Sequence, residues 1–242
     1  MTRLKLRRMR LDWDKRAREN ARHYVATGRS DWSDEDFFEA GENELRNHIY
    51  GDLGNICQGK DPKQMKVLEI GCGAARVTLP LARFFGEVHA VDISPEMVDR
   101  ARRALAGFPN AHVYLNNGED LSAVQQQWSQ RSGLGDDLQV DFAYSCLVFQ
   151  HIPSAAVIES YVRSVNHLLR PGGLFKFQVQ GYTDKEPHMD DSWHGVPFSE
   201  EAARAMAERC GFELRYQYGA GDQYYWLWFF KVRDLDRAKH KW

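Results

Sequence analysis

The chain has 242 residues, of which 43% are hydrophobic and 27% charged, so it can bury a substantial core as one globular domain. Its formal net charge of -2 argues against a surface built mainly to bind a nucleic-acid backbone or an anionic membrane. No apolar run approaches a membrane span, and the basic start lacks the apolar core of a secretory signal. The cysteines are scattered rather than paired at metal or dithiol spacing, which favours a reducing cytoplasm: Cys57, Cys72, Cys146 and Cys210.

Residues 1–60 are predicted to form a helical extension. The first predicted helix ends near Gly28, and a second covers residues 35–53. The first helix carries a stripe of residues on one face, which is consistent both with a lid over a binding site and with plain packing. The stripe consists of residues that recur at steps of three and four: Trp13, Ala17, Asn20 or Ala21, and Tyr24.

From Lys66 onward, short apolar runs alternate with helical patterns, which predicts a doubly wound Rossmann-like α/β domain over residues 61–242. Ser94 and Pro95 are typical of a helix start. Further helices are predicted from Pro153 to the turn at residues 170–173, and from Ser199 to Gly211. The predicted parallel strands cover residues 67–70, 87–91, 113–115, 140–146 and 174–179, and a short link makes 212–218 and 224–232 an antiparallel hairpin.

The turn after the first strand carries Gly71 and Gly73, which allow tight curvature and close approach of a ligand to backbone N–H groups. A nicotinamide site normally has a third glycine where this chain has Arg76. Glu69, at the strand end, suits a ligand that presents an ammonium group better than one that presents a pyrophosphate. These residues favour S-adenosylmethionine over a dinucleotide.

The turn resembles the first motif of the class I S-adenosylmethionine-dependent methyltransferases of small-molecule type, which pairs an acidic residue with Gly-X-Gly. The family often has glycine where this chain has Ala75. The fold and the resemblance together imply a cofactor site in which Asp92 accepts from the ribose and Asn117 from the adenine. A helix cap at Asp92 and a polar loop at Asn117 are the alternatives. The expected cofactor-binding residues are Glu69, Gly71, Cys72, Gly73, Arg76, Asp92, Ile93, Met97, Asn117, Gly118, Ser145 and Leu147.

His151 follows the strand end that the family uses under the methionine part of its cofactor, which makes it the candidate general base. The alternative is that it caps or packs beneath the site. Residues 182–197 are predicted to form a substrate loop over the acceptor pocket, and no metal site is predicted. The candidate substrate-binding residues are Tyr24, Tyr182, His188 and Trp193.

The sequence therefore predicts methyl transfer to an oxygen or nitrogen of a small-molecule acceptor. The Asp/Asn-Pro-Pro-aromatic motif of nucleic-acid amino methyltransferases is absent, because residues 145–148 read Ser-Cys-Leu-Val. Three alternatives remain: an RNA or protein methyltransferase that docks through the basic start, a nicotinamide-dependent oxidoreductase, and a noncatalytic S-adenosylmethionine sensor.

Overall fold

The computed structural model describes residues 3–132, 138–182, 193 and 195–236. The chain divides into two compact units, one over residues 3–118 and the other from residue 119 onward. Each unit contains parallel strands and the helices that follow them. The predicted division into residues 1–60 and 61–242 stays a prediction.

The first unit is built on three parallel strands. Strands β1 (Lys66–Ile70), β2 (Glu87–Asp92) and β3 (Ala111–Leu115) lie in the order β3-β2-β1. Their apolar side chains are almost all buried, as expected of strands covered on both faces. The helices of this unit are α1 (Arg3–Val25), α2 (Asp34–His48), α3 (Leu53–Cys57), α4 (Thr78–Phe84) and α5 (Pro95–Ala104).

Helix α5 begins as the sequence predicts. The Ser94 hydroxyl accepts a hydrogen bond from the Met97 N–H at 3.2 Å, and Pro95 occupies the first turn. Because this cap directly follows β2, it fixes where the chain turns at the carboxyl end of the sheet.

The N-terminal helices differ from the prediction at their ends. Helix α1 starts ten residues before Trp13 and is interrupted at Asn20, whose side chain accepts from the His23 N–H. The predicted helix over residues 35–53 ends at His48 instead, and a 3-10 turn (Tyr50–Asp52) leads into α3. Glycines at positions 51 and 54 weaken helix propensity there, which accounts for the break.

The second unit contains strands β4 (Val140–Ser145), β5 (Leu169–Val179), β6 (Phe212–Tyr218) and β7 (Tyr225–Lys231) in the order β4-β5-β7-β6. β4 and β5 are parallel, whereas β7 is antiparallel to both β5 and β6. The helices of this unit are α6 (Ser122–Ser132), α7 (Ala155–Leu168) and α8 (Glu200–Arg209). The predicted fold class, a mostly parallel Rossmann-like sheet with an antiparallel C-terminal hairpin, is confirmed.

Strand β5 starts five residues earlier than predicted. Leu169 already pairs with Val140, and the register shifts before Leu174 pairs with Phe142. The turn-forming residues between them are therefore an irregularity inside the strand, where the Arg170 guanidinium lies 3.0 Å from the Asp141 carboxylate. No helix among the described residues combines the length and apolar character needed to cross a membrane.

Candidate functional site

The turn from β1 to α4 places three alternate residues in the left-handed region. Gly71 and Gly73 have φ values of 78° and 52°, and Ala75 has a φ of 68°. A side chain in this region costs about 1–2 kcal/mol, so Ala75 holds strain where the family that the turn resembles often has glycine. The N–H groups of Gly71 and Cys72 donate to the Val91 carbonyl oxygen at 2.8 and 2.9 Å, which anchors the turn to β2.

Glu69 lies at the carboxyl end of β1 and is buried. Among the residues that the structure describes, no hydrogen-bond partner reaches its Oε2 atom. Burial raises the pKa of Glu69 to about 7, although the nearby Thr78 hydroxyl and Arg76 charge oppose this shift. A buried carboxylate oxygen without a partner fits a ligand that brings its own ammonium group.

Arg76 is also buried, but its guanidinium is directed at helix α2. One of its terminal nitrogens lies 3.3 Å from the Ala40 carbonyl oxygen and 3.5 Å from the Glu44 carboxylate. The backbone of α2 comes close at Gly41, where a Cβ would overlap the Arg76 carbonyl oxygen. The guanidinium therefore attaches α2 to the glycine turn, and cofactor binding by Arg76 stays a prediction.

Asp92 ends β2 with both carboxylate oxygens engaged by backbone. Oδ2 accepts from the Gly73 N–H and Oδ1 from the Ser94 N–H, each at 2.9 Å. Desolvation raises the pKa of Asp92, and these backbone hydrogen bonds oppose that shift. Because each carboxylate oxygen has two lone pairs, both could still accept from a vicinal diol. The arrangement also orients the carboxylate, since two N–H groups hold it from different sides.

The loop after β3 contains Asn117, which is exposed, and Gly118, which is buried with a φ of 86°. Asn116 ties this loop to β2, because its N–H donates to the Asp92 carbonyl oxygen at 2.8 Å. A Cβ placed on Gly118 would lie 3.7 Å from the Ile93 side chain. The structure thus brings together the predicted residues of three loops at the carboxyl ends of β1, β2 and β3. Met97 lies behind them, buried in a cluster with Ala17, Ala21, Phe37 and Ala74.

Helix α1 covers these three loops. Near its start, Leu6 and Met9 lie about as close to Gly118 as Ile93 does. In its middle, Asp14 accepts hydrogen bonds from the Ser94 hydroxyl and the Glu96 N–H. Its last residue, Val25, packs on Gly73, where an added Cβ would lie 2.5 Å from the Val25 side chain.

The residues that contact the loops are not all those predicted for the closing face of α1. Tyr24 donates to Glu19 at 3.2 Å, and Asn20 donates to the Ser30 carbonyl oxygen at 2.9 Å. Asp14 was missed, although it is the charged residue in the otherwise apolar buried face of α1. That face consists of Leu6, Met9, Ala17 and Ala21 at helical spacing.

In the second unit, the chain leaves β4 through the buried Ser145 and reaches Leu147, which has a φ of 59°. The Leu147 N–H donates to Oε1 of Gln178 on β5 at 3.1 Å. Such a conformation is costly for leucine, and strain of this kind gathers at functional sites. The two residues predicted under the methionine end of a cofactor thus lie two positions apart, at a strained strand exit.

His151 lies in a 3-10 turn (Phe149–His151) and is buried. A chain of side-chain amides leads to it, because Gln178 donates to Gln150 at 2.9 Å and Gln150 contacts Nε2 of His151 at 3.3 Å. The other ring nitrogen, Nδ1, lies 2.6 Å from the Trp193 carbonyl oxygen. Both nitrogens of the candidate base are therefore engaged by protein groups.

The predicted substrate loop is described only at its ends. Tyr182 is half-buried three residues after the end of β5, and the Trp193 ring packs against His151 with 5.0 Å between ring centroids. His188 and most of this loop lie outside the described residues. Within the described part of the chain, no group of three or more His, Cys, Asp or Glu side chains could hold a metal ion.

A family profile described as a methyltransferase domain matches residues 68–175. The ubiquinone biosynthesis O-methyltransferase of Xanthomonas axonopodis pv. citri is 30% identical over 115 residues, which are 47% of this chain and 42% of that protein. The sterol 24-C-methyltransferase of Yarrowia lipolytica is 25% identical over 173 residues, which are 63% of this chain and 40% of that protein. The chain thus spans less than half the length of these curated relatives.

Among solved structures, magnesium protoporphyrin IX methyltransferase from Synechocystis PCC 6803 with bound SAM has a TM-score of 0.63. It is 14% identical, and the match covers 94% of this chain and 97% of that chain. This likeness shows the fold. Residues 68–175 thus match a methyltransferase domain, in agreement with the class I S-adenosylmethionine-dependent methyltransferases that the glycine turn resembles.

Proposed function

We propose that this protein transfers a methyl group from S-adenosylmethionine to an oxygen or nitrogen atom of a small-molecule acceptor. The observation that carries the cofactor part is the buried Glu69 carboxylate, whose Oε2 atom lacks a partner among the described residues beside the glycine turn. An unpaired buried carboxylate is costly in free energy unless a cation meets it, and the cofactor's ammonium is such a cation.

The remaining contacts follow from the three loops. Asp92 accepts from the ribose hydroxyls, and the bond that it accepts from the Gly73 N–H orients its carboxylate at the glycine turn. Asn117 accepts from the adenine amino group, with the Gly118 N–H beside it. The cofactor supplies an electrophilic methyl group on a sulfonium, so the protein's task is to align the acceptor in line with it and to exclude water.

A small-molecule acceptor is supported by the named relatives, one of which is an O-methyltransferase of ubiquinone biosynthesis. The residues that follow the strained Leu147 are mainly apolar, and the chain lacks the Asp/Asn-Pro-Pro-aromatic motif. His151 is the candidate general base in this proposal. In that role Nε2 would have to exchange its contact with Gln150 for one with the acceptor.

The cofactor proposal is tested by calorimetric binding of S-adenosylhomocysteine to the wild-type protein and to Glu69→Gln. We expect micromolar binding by the wild type and a loss of about 100-fold in the variant, because a buried charged contact is removed. Glu87→Gln is the matched control, because Glu87 lies at the amino end of β2, whereas Glu69 lies near the carboxyl end of β1. This variant should bind S-adenosylhomocysteine as the wild type does. Binding of a nicotinamide cofactor instead would overturn the proposal.

The acceptor proposal is tested by following radiolabelled methyl transfer to a panel of phenols, carboxylates and amines, with total RNA and protein as further acceptors. Transfer to a small molecule and a loss of about 100-fold or more in His151→Gln would support both the acceptor class and the base. Unchanged turnover in His151→Gln would remove the base from the mechanism. Labelling only of RNA or protein, with a steep loss at high salt, would contradict the acceptor class.

A further inference from the structure

Asp14 is a buried carboxylate in the middle of helix α1. Its Oδ1 atom accepts from the Ser94 hydroxyl at 2.8 Å and from the Glu96 N–H at 3.0 Å, across about 80 residues of sequence. Its Oδ2 atom lies 2.7 Å from the guanidinium of Arg18, a side chain that is largely exposed. The carboxylate therefore connects α1 to the first turn of α5.

The start of α5 does not need Asp14 as its cap. Ser94 already accepts from the Met97 N–H, which is the usual capping bond. Burying a carboxylate costs free energy that an apolar residue at this position would not incur. Although burial raises the pKa of Asp14, the hydrogen bonds from Glu96 and Ser94 and the charge of Arg18 hold it below its usual value. The side chain is thus charged at neutral pH and fully engaged.

Ser94 links Asp14 to the predicted ribose acceptor. Its hydroxyl donates to Asp14, and its N–H donates to Oδ1 of Asp92. The second oxygen of Asp92, Oδ2, accepts from the Gly73 N–H. One of the two hydrogen bonds that orient this carboxylate therefore depends on the position of Ser94. A movement of Asp14 away from Ser94 would loosen the Asp92 side chain through one intervening residue.

Asp14 also lies between the two apolar contacts of α1. Leu6 and Met9 pack near Gly118 at one end, and Val25 packs on Gly73 at the other. These contacts are non-directional, so by themselves they allow the helix to slide or rotate. The two hydrogen bonds at Asp14 are directional and fix the register of α1 over the three loops.

We infer that Asp14 is a positioning residue for the cofactor, which anchors α1 on Ser94 and thereby both orients Asp92 and closes the helix over the loops at Gly73 and Gly118. This inference rests on the proposed function, because it assigns the three loops to S-adenosylmethionine. It predicts that the loss of Asp14 weakens cofactor binding more than it slows the chemical step.

The experiment compares Asp14→Ala with Asp14→Asn in the full-length chain, using S-adenosylhomocysteine as the probe. Asp14→Ala should raise its Kd by about 10- to 100-fold, since one partner of a buried charge-assisted network is lost. In Asp14→Asn, the amide oxygen accepts from the same two donors, so Kd should stay within about threefold of the wild type. Arg18→Ala removes only the exposed ion pair and should also stay within about threefold.

A second measurement separates positioning from simple stability. Limited trypsin cleavage within α1 is followed with and without S-adenosylhomocysteine, and kcat and KM are measured once an acceptor is known. We expect the ligand to protect α1 from cleavage in the wild type and in Asp14→Asn but not in Asp14→Ala. In the kinetic measurement, Asp14→Ala should raise KM for the cofactor more than it lowers kcat. If Asp14→Ala does not fold, it is replaced by Asp14→Leu, whose side chain can pack with the apolar buried face of α1.

Three results would overturn the inference. The first is wild-type affinity in Asp14→Ala or Asp14→Leu with only a lowered Tm. The second is a loss in Asp14→Asn as large as in Asp14→Ala, and the third is equal protection of α1 in all variants. Failure of the wild type to bind S-adenosylhomocysteine would instead reject the proposed function, so the two failures are distinguishable.

Discussion

The side-chain amide of Gln150 lies 3.3 Å from Nε2 of His151, and Nδ1 of the same ring lies 2.6 Å from a carbonyl oxygen, that of Trp193. Since a carbonyl oxygen can only accept, Nδ1 carries the ring proton and Nε2 accepts from the amide. Groups on two different segments of the second unit therefore favour the tautomer of His151 that is protonated at Nδ1.

This arrangement predicts a spectroscopic signature. Nitrogen NMR of the resting protein should show Nδ1 of His151 protonated and Nε2 unprotonated at pH 7.5. In Gln150→Glu, a carboxylate replaces the donor beside Nε2, so the imidazolium form is favoured and the pKa of His151 should rise by about 1 unit or more. Gln127→Glu is the control, because Gln127 donates only to Ala123 within α6. A ring protonated at Nε2, or an unchanged pKa in Gln150→Glu, would contradict this tautomer.

The sequence predicted the parts of the fold that local chemistry controls. The strand and helix order follows from apolar periodicity, and the start of α5 follows from Ser94 and Pro95. The glycine turn was recognisable because Glu69, Gly71 and Gly73 are close in sequence. Strand β5 was predicted too short because Pro171 and the two glycines that follow it resemble a helix stop, although here they form an irregularity inside the strand.

The missed features depend on partners that are far apart in sequence. From the sequence alone, Asp14 is expected at the surface, because its partner Ser94 is far away along the chain. No local pattern indicates that the two side chains pair. Gln178 lies in an apolar strand, and its side chain accepts a hydrogen bond from the N–H of Leu147, 31 residues earlier. Both are buried polar groups whose partners complete them, and such pairs are not encoded in hydrophobic periodicity.

Glu69 should make the stability of the cofactor-free protein depend on pH. Its folded-state pKa of about 7 lies above the usual value of 4.5, so the folded state binds the proton more tightly than the unfolded state. The stabilisation from the protonated form is therefore complete below about pH 4.5 and is lost as pH rises through 7. Glu69→Gln should raise the free energy of unfolding at pH 8 by about 2–3 kcal/mol and change it little at pH 5. Urea denaturation at the two pH values measures this, and an equal effect at both would contradict it.

The same group should couple cofactor binding to proton release. The ammonium of S-adenosylhomocysteine pairs with the ionised carboxylate, so binding below pH 7 must remove the proton from Glu69. We expect affinity to fall by up to about tenfold for each pH unit below 7 and to level off above pH 8. Calorimetry in two buffers of different ionisation enthalpy detects the released proton directly. Glu69→Gln should bind S-adenosylhomocysteine weakly and without this pH dependence. A wild-type Kd that is constant from pH 6 to 8 would show that the ammonium pairs with another group.

The contact between Gly73 and Val25 allows a test of how tightly α1 covers the glycine turn. Gly73 has a positive φ, and its Cβ would lie 2.5 Å from the Val25 side chain, so Gly73→Ala introduces both backbone strain and a clash. We expect a loss of about 2–4 kcal/mol in unfolding free energy and a lower affinity for S-adenosylhomocysteine. Val25→Ala in the same chain removes the clash but not the strain, and so should recover part of the loss. Gly28→Ala is the matched control, since a Cβ there would meet nothing within 4 Å. If the changes in unfolding free energy caused by Gly73→Ala and Val25→Ala simply add in the double variant, α1 does not pack closely against the glycine turn.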